Sequence, residues 1–350
     1  MKSSRFIGQT LSNRYQIQQQ IGSGGFASVF KARDVVQNKD VAVKILTQKS
    51  DTQTNEKREE RFSREARIHL NHPNIVQIIE YNHHESPSCT YIVMELLSGH
   101  DLRKELEDHG PINPKRAIRF MIQALEGLEN AHQQNIIHRD IKPENLFIHI
   151  QNKSDENIKL LDFGIARMHS EHTLSLTGQL LGTHKYLAPE YIQDNNITPR
   201  LDIYQMGLVL IELLVGKPVV HTDHAMTGLR QHIRGSLEVP MALLESSLGP
   251  IIVQSLHNNP NERFSSALQF AKALSSISPD ELPFGEQLTE TISLDVYQKS
   301  SSLMEISSEE EIESAKKTTV HDAGNQKNIY ILIIVLLAVI IGLAIVMIQY

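Results

Sequence analysis

The chain has 350 residues, enough for one large domain or two smaller ones, and a net charge of −7 with both signs present. No basic stripe stands out, so the composition gives no support to a nucleic-acid-binding protein. The single cysteine, Cys89, excludes an internal disulfide framework, and none of the 17 histidines belongs to a zinc-ligand pattern.

The first part of the chain has the pattern of a small β-rich lobe. After an N-terminal lead over residues 1–14, alternating polarity from Tyr15 predicts a strand that runs into a glycine cluster. Further strands are predicted over residues 28–32, 40–46, 75–81 and 89–95. A charged stretch over residues 55–70 is predicted to be helical and ends before Pro73, which disfavours helix at the preceding residue. The small lobe is therefore predicted to cover residues 15–97.

The second part of the chain, residues 98–278, has the pattern of a larger helical lobe. Apolar residues recur at helical spacing over residues 114–132 and 203–215. Residues 279–328 are rich in Ser, Thr and Glu and contain too little apolar surface to fold alone. We therefore predict a mostly disordered linker there, with local helix over residues 302–317 as an open alternative.

The last apolar segment differs from everything before it. Residues 329–348 read IYILIIVLLAVIIGLAIVMI and contain no charge. About 20 residues at a rise of ~1.5 Å span ~30 Å, which predicts a transmembrane helix rather than a buried helix of a soluble core. Three lysines over residues 316–327 precede the segment, so the preceding part of the chain is predicted to be cytoplasmic. Ala338 and Gly342 could let two such helices pack as a homodimer, although this spacing of small residues is common in membrane helices.

Two features of the small lobe indicate phosphate binding. Gly22, Gly24 and Gly25 follow the first strand, where glycines let backbone N–H groups approach a phosphate. Such turns are common, so this signal is weak alone. Lys44 lies in the apolar run VAVK, and a buried lysine needs an anion such as a phosphate together with a carboxylate. Glu65 is the candidate carboxylate. The competing carboxylates are Glu59 and Glu60.

The strongest signal consists of three motifs that follow in order along the chain. They are HRDIKPEN over residues 138–145, LDFG over 161–164 and APE over 188–190. Their chance assembly is negligible when each residue type has a frequency near ~5%. Together they closely resemble the protein-kinase signature set, and more narrowly the bacterial eukaryotic-like (Hanks-type) Ser/Thr kinases. The resemblance covers residues 15–274 and implies an α+β bilobal kinase fold that uses ATP and Mg²⁺ (or Mn²⁺).

The resemblance also implies catalytic roles. Lys44 would hold the α- and β-phosphates of ATP, oriented by the candidate carboxylate. Asp162 and Asn145 would hold the metal, a hard cation that prefers oxygen ligands. Asp140 would accept the proton of the substrate hydroxyl, and Lys142 would contact the γ-phosphate. A lysine at this last position is typical of Ser/Thr kinases rather than tyrosine kinases.

The resemblance further implies an adenine pocket between the two lobes. Its predicted residues are Ile21, Gly22, Gly24, Gly25, Val29, Ala42, Lys44, Met94, Glu95 and Leu97. Met94 would guard the back of the pocket, and residues 95–97 would form the hinge. Ala27 replaces the third glycine of the usual loop, and we expect the loop to work because a methyl group is a small addition.

Four more residues resemble structural positions of the family. Thr183 would contact the catalytic aspartate beside the substrate-binding loop. Asp202 would hold the backbone of the catalytic loop. Glu190 and Arg263 would form a buried pair that joins the substrate loop to the large lobe.

The segment after LDFG resembles an activation loop. Arg139 directly precedes Asp140, and kinases with this arginine often gain order from a loop phosphate that pairs with it. Thr177 and Ser175 are the candidate autophosphorylation sites.

These observations predict a membrane-tethered Ser/Thr kinase that acts on protein substrates. The alternative is a membrane-tethered pseudokinase that serves as a scaffold. All four residues that a pseudokinase would be expected to have lost, Lys44, Asp140, Asn145 and Asp162, are present, which favours the enzyme.

Overall fold

The computed structural model describes residues 3–24, 27–46, 59, 62–63, 70–85, 88–152, 155–163, 183–222 and 224–300. The chain divides into a unit over Met1–Val296 and a second over Tyr297–Tyr350. Within the first unit, a β-rich small lobe precedes a mainly helical large lobe, which confirms the predicted order.

The strands of the small lobe form one antiparallel sheet. Their bounds are Thr10–Leu11 (β1), Tyr15–Ser23 (β2), Ala27–Asp34 (β3), Lys39–Leu46 (β4), Ile78–Glu85 (β5) and Ser88–Glu95 (β6). The sheet has the order β1-β2-β3-β4-β6-β5. β5 begins three residues later than predicted because Ile75 and Val76 leave the sheet to contact Leu160 of the large lobe, where the Val76 N–H donates to the Leu160 carbonyl at 3.0 Å.

One face of this sheet carries the core of the small lobe. Phe30, Val43 and Val93 occupy directly paired positions on three neighbouring strands and are fully buried. Tyr15 and Tyr91 pack edge to face at 6.2 Å on the same side. Because side chains alternate along a strand, the residues between these core positions point to the opposite face.

The large lobe combines short strands with helices. The strands are Gly99–Asp101 (β7), Leu146–Asn152 (β8), Asp155–Leu160 (β9), Glu238–Pro240 (β10) and Thr291–Ser293 (β11). The α-helices are Leu102–His109 (α1), Pro114–Gln133 (α2), Pro189–Asp194 (α3), Pro199–Val215 (α4), Ala225–Arg234 (α5), Met241–Glu245 (α6), Gly249–Ser255 (α7) and Ala267–Ser275 (α8).

Helix α4 forms the centre of the large lobe and is buried along nearly its whole length. It begins at Pro199, four residues before the predicted start, because proline suits the first turn of a helix. It ends at Val215, and the next residue, Gly216, has a φ of 83°, a left-handed conformation that glycine adopts without strain. Polar side chains on such a helix are held inside the lobe, where they must find partners.

The folded part continues beyond residue 278, where the linker was predicted to begin. β11 pairs with β10 so that Thr291 faces Pro240 and Ser293 faces Glu238. Three leucines in this segment are buried: Leu282, Leu288 and Leu294. Residues 279–296 are therefore ordered rather than disordered, since these evenly spaced leucines pack against the lobe and offset the polar composition.

The predicted membrane helix over residues 329–348 and the rest of the linker from residue 301 lie outside the described residues. Among the helices that the structure describes, none combines the length and apolar character needed to cross a membrane.

Candidate active site

The strand register gathers the predicted nucleotide-binding residues on one face of the small-lobe sheet. Gly22 on β2 lies opposite Val29 on β3, and Val29 lies opposite Lys44 on β4. Ala42, two residues before Lys44, lies opposite Met94 on β6. Directly paired positions point to the same face, as do positions two apart along a strand. All five positions therefore share the face opposite the core.

The rim of this face is formed by the turn between β2 and β3. The Gly24 N–H donates to the Ala27 carbonyl at 2.8 Å, and Ile21 at the edge is 46% exposed. The Ala27 side chain is buried in a small apolar cluster, so the methyl group that replaces the usual glycine points into packed side chains. Gly25 lies outside the described residues. Leu97 is half-buried after β6.

Lys44 is a largely buried cation directed at a half-exposed carboxylate. Its Nζ lies 2.7 Å from Oδ1 of Asp162, and the exposed fractions of the two side chains are 11% and 50%. Glu59, one competing carboxylate, accepts a hydrogen bond from Thr90 Oγ1 at 2.6 Å. Glu65 and Glu60 lie outside the described residues.

Asp140, Lys142 and Asn145 form one cluster in the catalytic loop. Asn145 Nδ2 donates to the carbonyl oxygen of Asp140 at 2.7 Å and to its Oδ2 at 3.2 Å. Lys142 Nζ lies 3.1 Å from the same Oδ2. The Leu161 N–H donates to the Asn145 carbonyl at 2.9 Å, which brings this cluster next to the segment that carries Asp162.

Asp202, in the first turn of α4, holds the backbone of the catalytic loop. Its Oδ2 accepts the His138 N–H at 2.8 Å, and its Oδ1 accepts the Arg139 N–H at 2.7 Å. Burial would raise the pKa of Asp202, but the hydrogen bond with His132 at 2.7 Å and the nearby N–H groups lower it below the usual value. The ionised carboxylate supports Arg139 in a left-handed conformation, with φ of 67°.

His138 joins the catalytic loop to the segment that carries Asp162, the predicted metal ligand, and sequence reasoning missed this contact. Burial lowers the pKa of His138, so the ring is neutral. Its Nε2 lies 2.8 Å from the Leu161 carbonyl, which can only accept, so Nε2 carries the proton. The ring packs on Phe163 at 4.7 Å. Asp162 lies between Leu161 and Phe163 along the chain and has a left-handed backbone conformation, with a φ of 46°.

Lys159 is a second residue that sequence reasoning missed. Its Nζ lies 2.6 Å from Oε1 of Glu95, a predicted hinge residue, and the same oxygen accepts the Gln77 N–H at 2.8 Å. The Glu95 side chain is therefore held against β9, the strand that leads to Asp162. Lys44 was predicted to be functional because it lies among apolar residues. Lys159 lies in a similar apolar run, IKLL, so the same pattern could have identified it.

The substrate side of the site is described from residue 183 onward. Arg263 Nη2 lies 2.8 Å from Glu190 Oε2, with exposed fractions of 0% and 5%, so the two predicted pair members are in contact. Thr183 begins a 3₁₀ helix over Thr183–Tyr186, but its side chain is not among those the structure describes. Thr177 and Ser175 lie outside the described residues.

The donor set fits a hard divalent cation. The Asn145 amide nitrogen faces Asp140, which leaves its Oδ1 as a candidate oxygen ligand. The Asp162 carboxylate is the second candidate, one residue after the Leu161 N–H that donates to the Asn145 carbonyl. Within the described ranges, no group of three or more His, Cys, Asp or Glu side chains could hold a metal. Mg²⁺ is commonly bound through one or two carboxylates together with phosphates of the substrate, so these two ligands suit Mg²⁺ (or Mn²⁺) that binds with ATP.

Comparison with known proteins identifies the family. Residues 15–281 match the model of the protein kinase domain. PknB of Mycobacterium tuberculosis, a serine/threonine-protein kinase, is 36% identical over 282 residues, which cover 78% of this chain and 44% of that protein. PrkC of Bacillus subtilis, also a serine/threonine-protein kinase, is 37% identical over 268 residues, which cover 75% of this chain and 40% of PrkC. The chain thus spans less than half the length of these relatives. It belongs to the protein kinase family and carries a serine/threonine kinase domain of the bacterial, eukaryotic-like type.

Proposed function

We propose that this chain transfers the γ-phosphate of ATP to serine and threonine hydroxyls of proteins at the cytoplasmic face of a membrane. One observation supports the catalytic part above all others. Lys44 meets Asp162 at 2.7 Å, and Asn145 meets Asp140 at 3.2 Å in the adjoining loop. These contacts bring together a cation, two metal-ligand candidates and a candidate base, which supports a phosphoryl-transfer site next to the sheet face that carries the predicted nucleotide-binding residues.

Phosphoryl transfer depends mainly on positioning and on neutralising charge. Lys44 would pair with the α- and β-phosphates, which compete with Asp162 for its buried ammonium group. Asp140 would accept the hydroxyl proton of the substrate and orient its oxygen. Lys142, already 3.1 Å from Asp140, would neutralise the γ-phosphate. Asn145 and Asp162 would hold Mg²⁺ (or Mn²⁺), which supplies positive charge to the phosphate oxygens.

Phosphosite mapping tests this activity. The full chain in detergent is incubated with ATP and either Mg²⁺ or Mn²⁺, and phosphate incorporation into the chain and into myelin basic protein is measured. We expect phosphoserine and phosphothreonine in both proteins, and about 100-fold less or lower still with Asp162→Asn. Nucleotide binding without any transfer by the wild-type chain would instead indicate a pseudokinase scaffold.

Regulation by an activation-loop phosphate is supported by Arg139. Its Nε and Nη1 atoms are buried without a hydrogen-bond partner in the described part of the chain. Burial lowers the pKa of this guanidinium, and a phosphate on Thr177 or Ser175 would compensate the buried charge. Replacing both hydroxyl residues by alanine should lower activity on myelin basic protein. Full activity of that variant would contradict the proposal.

Membrane attachment is proposed on the uncharged apolar segment over residues 329–348. The full chain should remain in the membrane pellet after alkaline carbonate extraction, and protease should cleave the kinase domain only from the cytoplasmic side. Ile340→Arg combined with Leu343→Arg should release the chain, because charges in the middle of a bilayer helix are costly. The matched control is Ile340→Leu with Leu343→Ile. Release of the wild-type chain by carbonate would refute the proposed membrane attachment.

A homodimer through the same segment is proposed on Ala338 and Gly342. Gly342→Leu should reduce crosslinking between copies in membranes, whereas Leu337→Ile should leave it unchanged. Equal crosslinking in both variants would contradict a dimer built on these small residues.

A further inference from the structure

Gln205 joins two loops that meet at the reacting hydroxyl. Its side chain lies inside the large lobe and is 1% exposed. Its Oε1 accepts the backbone N–H of Ile141 at 3.0 Å, and its Nε2 donates to the carbonyl of Tyr186 at 2.9 Å. Ile141 directly follows Asp140, while Tyr186 ends the 3₁₀ helix that opens the described part of the substrate loop.

The two hydrogen bonds determine the orientation of the amide. A backbone N–H can only donate and a carbonyl can only accept, so a single orientation of Gln205 satisfies both. Both bonds are buried, and an unsatisfied buried polar group is costly. The side chain therefore keeps the backbone of Ile141 and that of Tyr186 at a separation set by one amide group.

Two other residues of α4 that contact these loops, Asp202 and Glu212, each contact only one of them. Asp202, three residues earlier on α4, binds the catalytic loop through the N–H groups of His138 and Arg139. The hydroxyl of Tyr186 donates to Glu212 Oε2 at 2.6 Å, which anchors the ring to α4. Gln205 alone among these α4 residues contacts the backbone of both loops.

We propose that Gln205 is a positioning residue that aligns the substrate loop with Asp140. The inference rests on the proposed kinase activity, in which a protein substrate docked on this loop presents its hydroxyl to Asp140. Loss of the bridge would let the loops shift relative to each other, and a displacement of about 1 Å can cost on the order of 100-fold in rate. The bridge touches neither Lys44 nor Asp162, so nucleotide binding does not depend on it.

The chain offers a matched control for this bridge. Gln123 on α2 also spans two groups: its Oε1 accepts the Ile158 N–H at 2.8 Å, and its Nε2 donates to Asn157 Oδ1 at 3.2 Å. Both of its partners lie on β9, away from the substrate loop. Methionine has nearly the length of glutamine but forms neither hydrogen bond. Gln205→Met and Gln123→Met thus each remove two side-chain hydrogen bonds, which are buried at Gln205 and partly buried at Gln123.

The kinetic experiment uses the full chain in detergent, with myelin basic protein as the probe. For Gln205→Met we expect kcat/KM for this substrate to fall by about 10- to 100-fold, with an unchanged ATP dissociation constant. Gln123→Met should leave both constants unchanged. An unchanged kcat/KM for Gln205→Met, or an equal loss in both variants, would overturn the positioning role.

Hydrogen exchange tests the bridge without relying on activity. The Ile141 amide should exchange faster in Gln205→Met, whereas the Ile158 amide should exchange faster in Gln123→Met. Unchanged exchange at Ile141 would overturn the bridge itself. A wild-type chain that phosphorylates nothing would refute the proposed function, and the exchange data would still decide whether Gln205 holds the loop.

A second variant covers the case in which Gln205→Met does not fold. Gln205→Glu keeps the acceptor for Ile141, but its ionised form cannot donate to Tyr186. Because burial favours the neutral acid, which does donate, kcat/KM relative to wild type should fall as the pH rises from about 6 to about 9. A relative kcat/KM of one at every pH would overturn the proposal.

Discussion

The buried ion pair between Glu190 and Arg263 permits a stability prediction with a defined magnitude. Nη1 and Nη2 of Arg263 each lie 2.8 Å from a carboxylate oxygen of Glu190. Further acceptors are the carbonyl oxygens of His257 at 2.7 Å, Arg200 at 2.9 Å and Asn258 at 3.3 Å. Every N–H group of the guanidinium therefore has an acceptor, and the arginine side chain is 0% exposed.

Glu190→Gln keeps the shape of the side chain but leaves the guanidinium buried without a counter-charge. Breaking a buried pair in this way costs about 3–5 kcal/mol in the free energy of unfolding. At roughly 2–4 °C per kcal/mol for a domain of this size, the Tm should fall by roughly 6–20 °C. Combining Glu190→Gln with Arg263→Met should cost less than the sum of the single changes, because neither charge then remains unpaired.

Calorimetry of the full chain and its variants measures these changes. The matched control is Lys104→Met, which breaks a pair with Asp108 at 2.7 Å whose side chains are 59% and 47% exposed. The distances of the two pairs are nearly equal, but the exposed pair should contribute little to stability, because water screens the attraction between its charges. If Glu190→Gln costs no more than Lys104→Met, the reasoning that burial determines the cost is refuted.

Three further outcomes are expected. Asp140→Asn and Asp162→Asn should each lower phosphorylation of myelin basic protein by about 100-fold or more while the Tm stays near wild type. Normal turnover of either variant would refute the role proposed for that aspartate as base or metal ligand. Burial lowers the pKa of His232 to about 4 in the folded chain. As the pH falls, the imidazole of His232 is therefore protonated in the unfolded chain before it is protonated in the folded chain. The free energy of unfolding should therefore decrease between about pH 6.5 and about pH 4. Chemical denaturation should show a smaller decrease for His232→Asn, whereas the exposed control His221→Gln should show the same decrease as the wild-type chain. Leu294→Ala should cost about 2–5 kcal/mol if β11 packs as described, and an unchanged Tm would contradict that packing.

Much of the small lobe could be predicted because its signals are local. The strand predicted over residues 40–46 is observed as Lys39–Leu46, since alternating β-branched residues favour a pleated strand. The segment over residues 279–296 could not be predicted in this way. Its order depends on Leu294, whose N–H donates to the Leu237 carbonyl at 2.9 Å, and composition does not show which distant surface will receive a leucine.

The sequence by itself predicted the chemistry that we propose for this protein. Lys44, Asp140, Asn145 and Asp162 belong to short motifs, because a phosphate-transfer site needs particular residue types at fixed offsets from a turn or a strand. Tertiary structure alone decided how those groups are held. Gln205 has no motif, and its partners lie 64 and 19 residues away along the chain. A buried amide can bond to any backbone group that the fold brings within reach, so its partners follow from the packing of α4 against two loops.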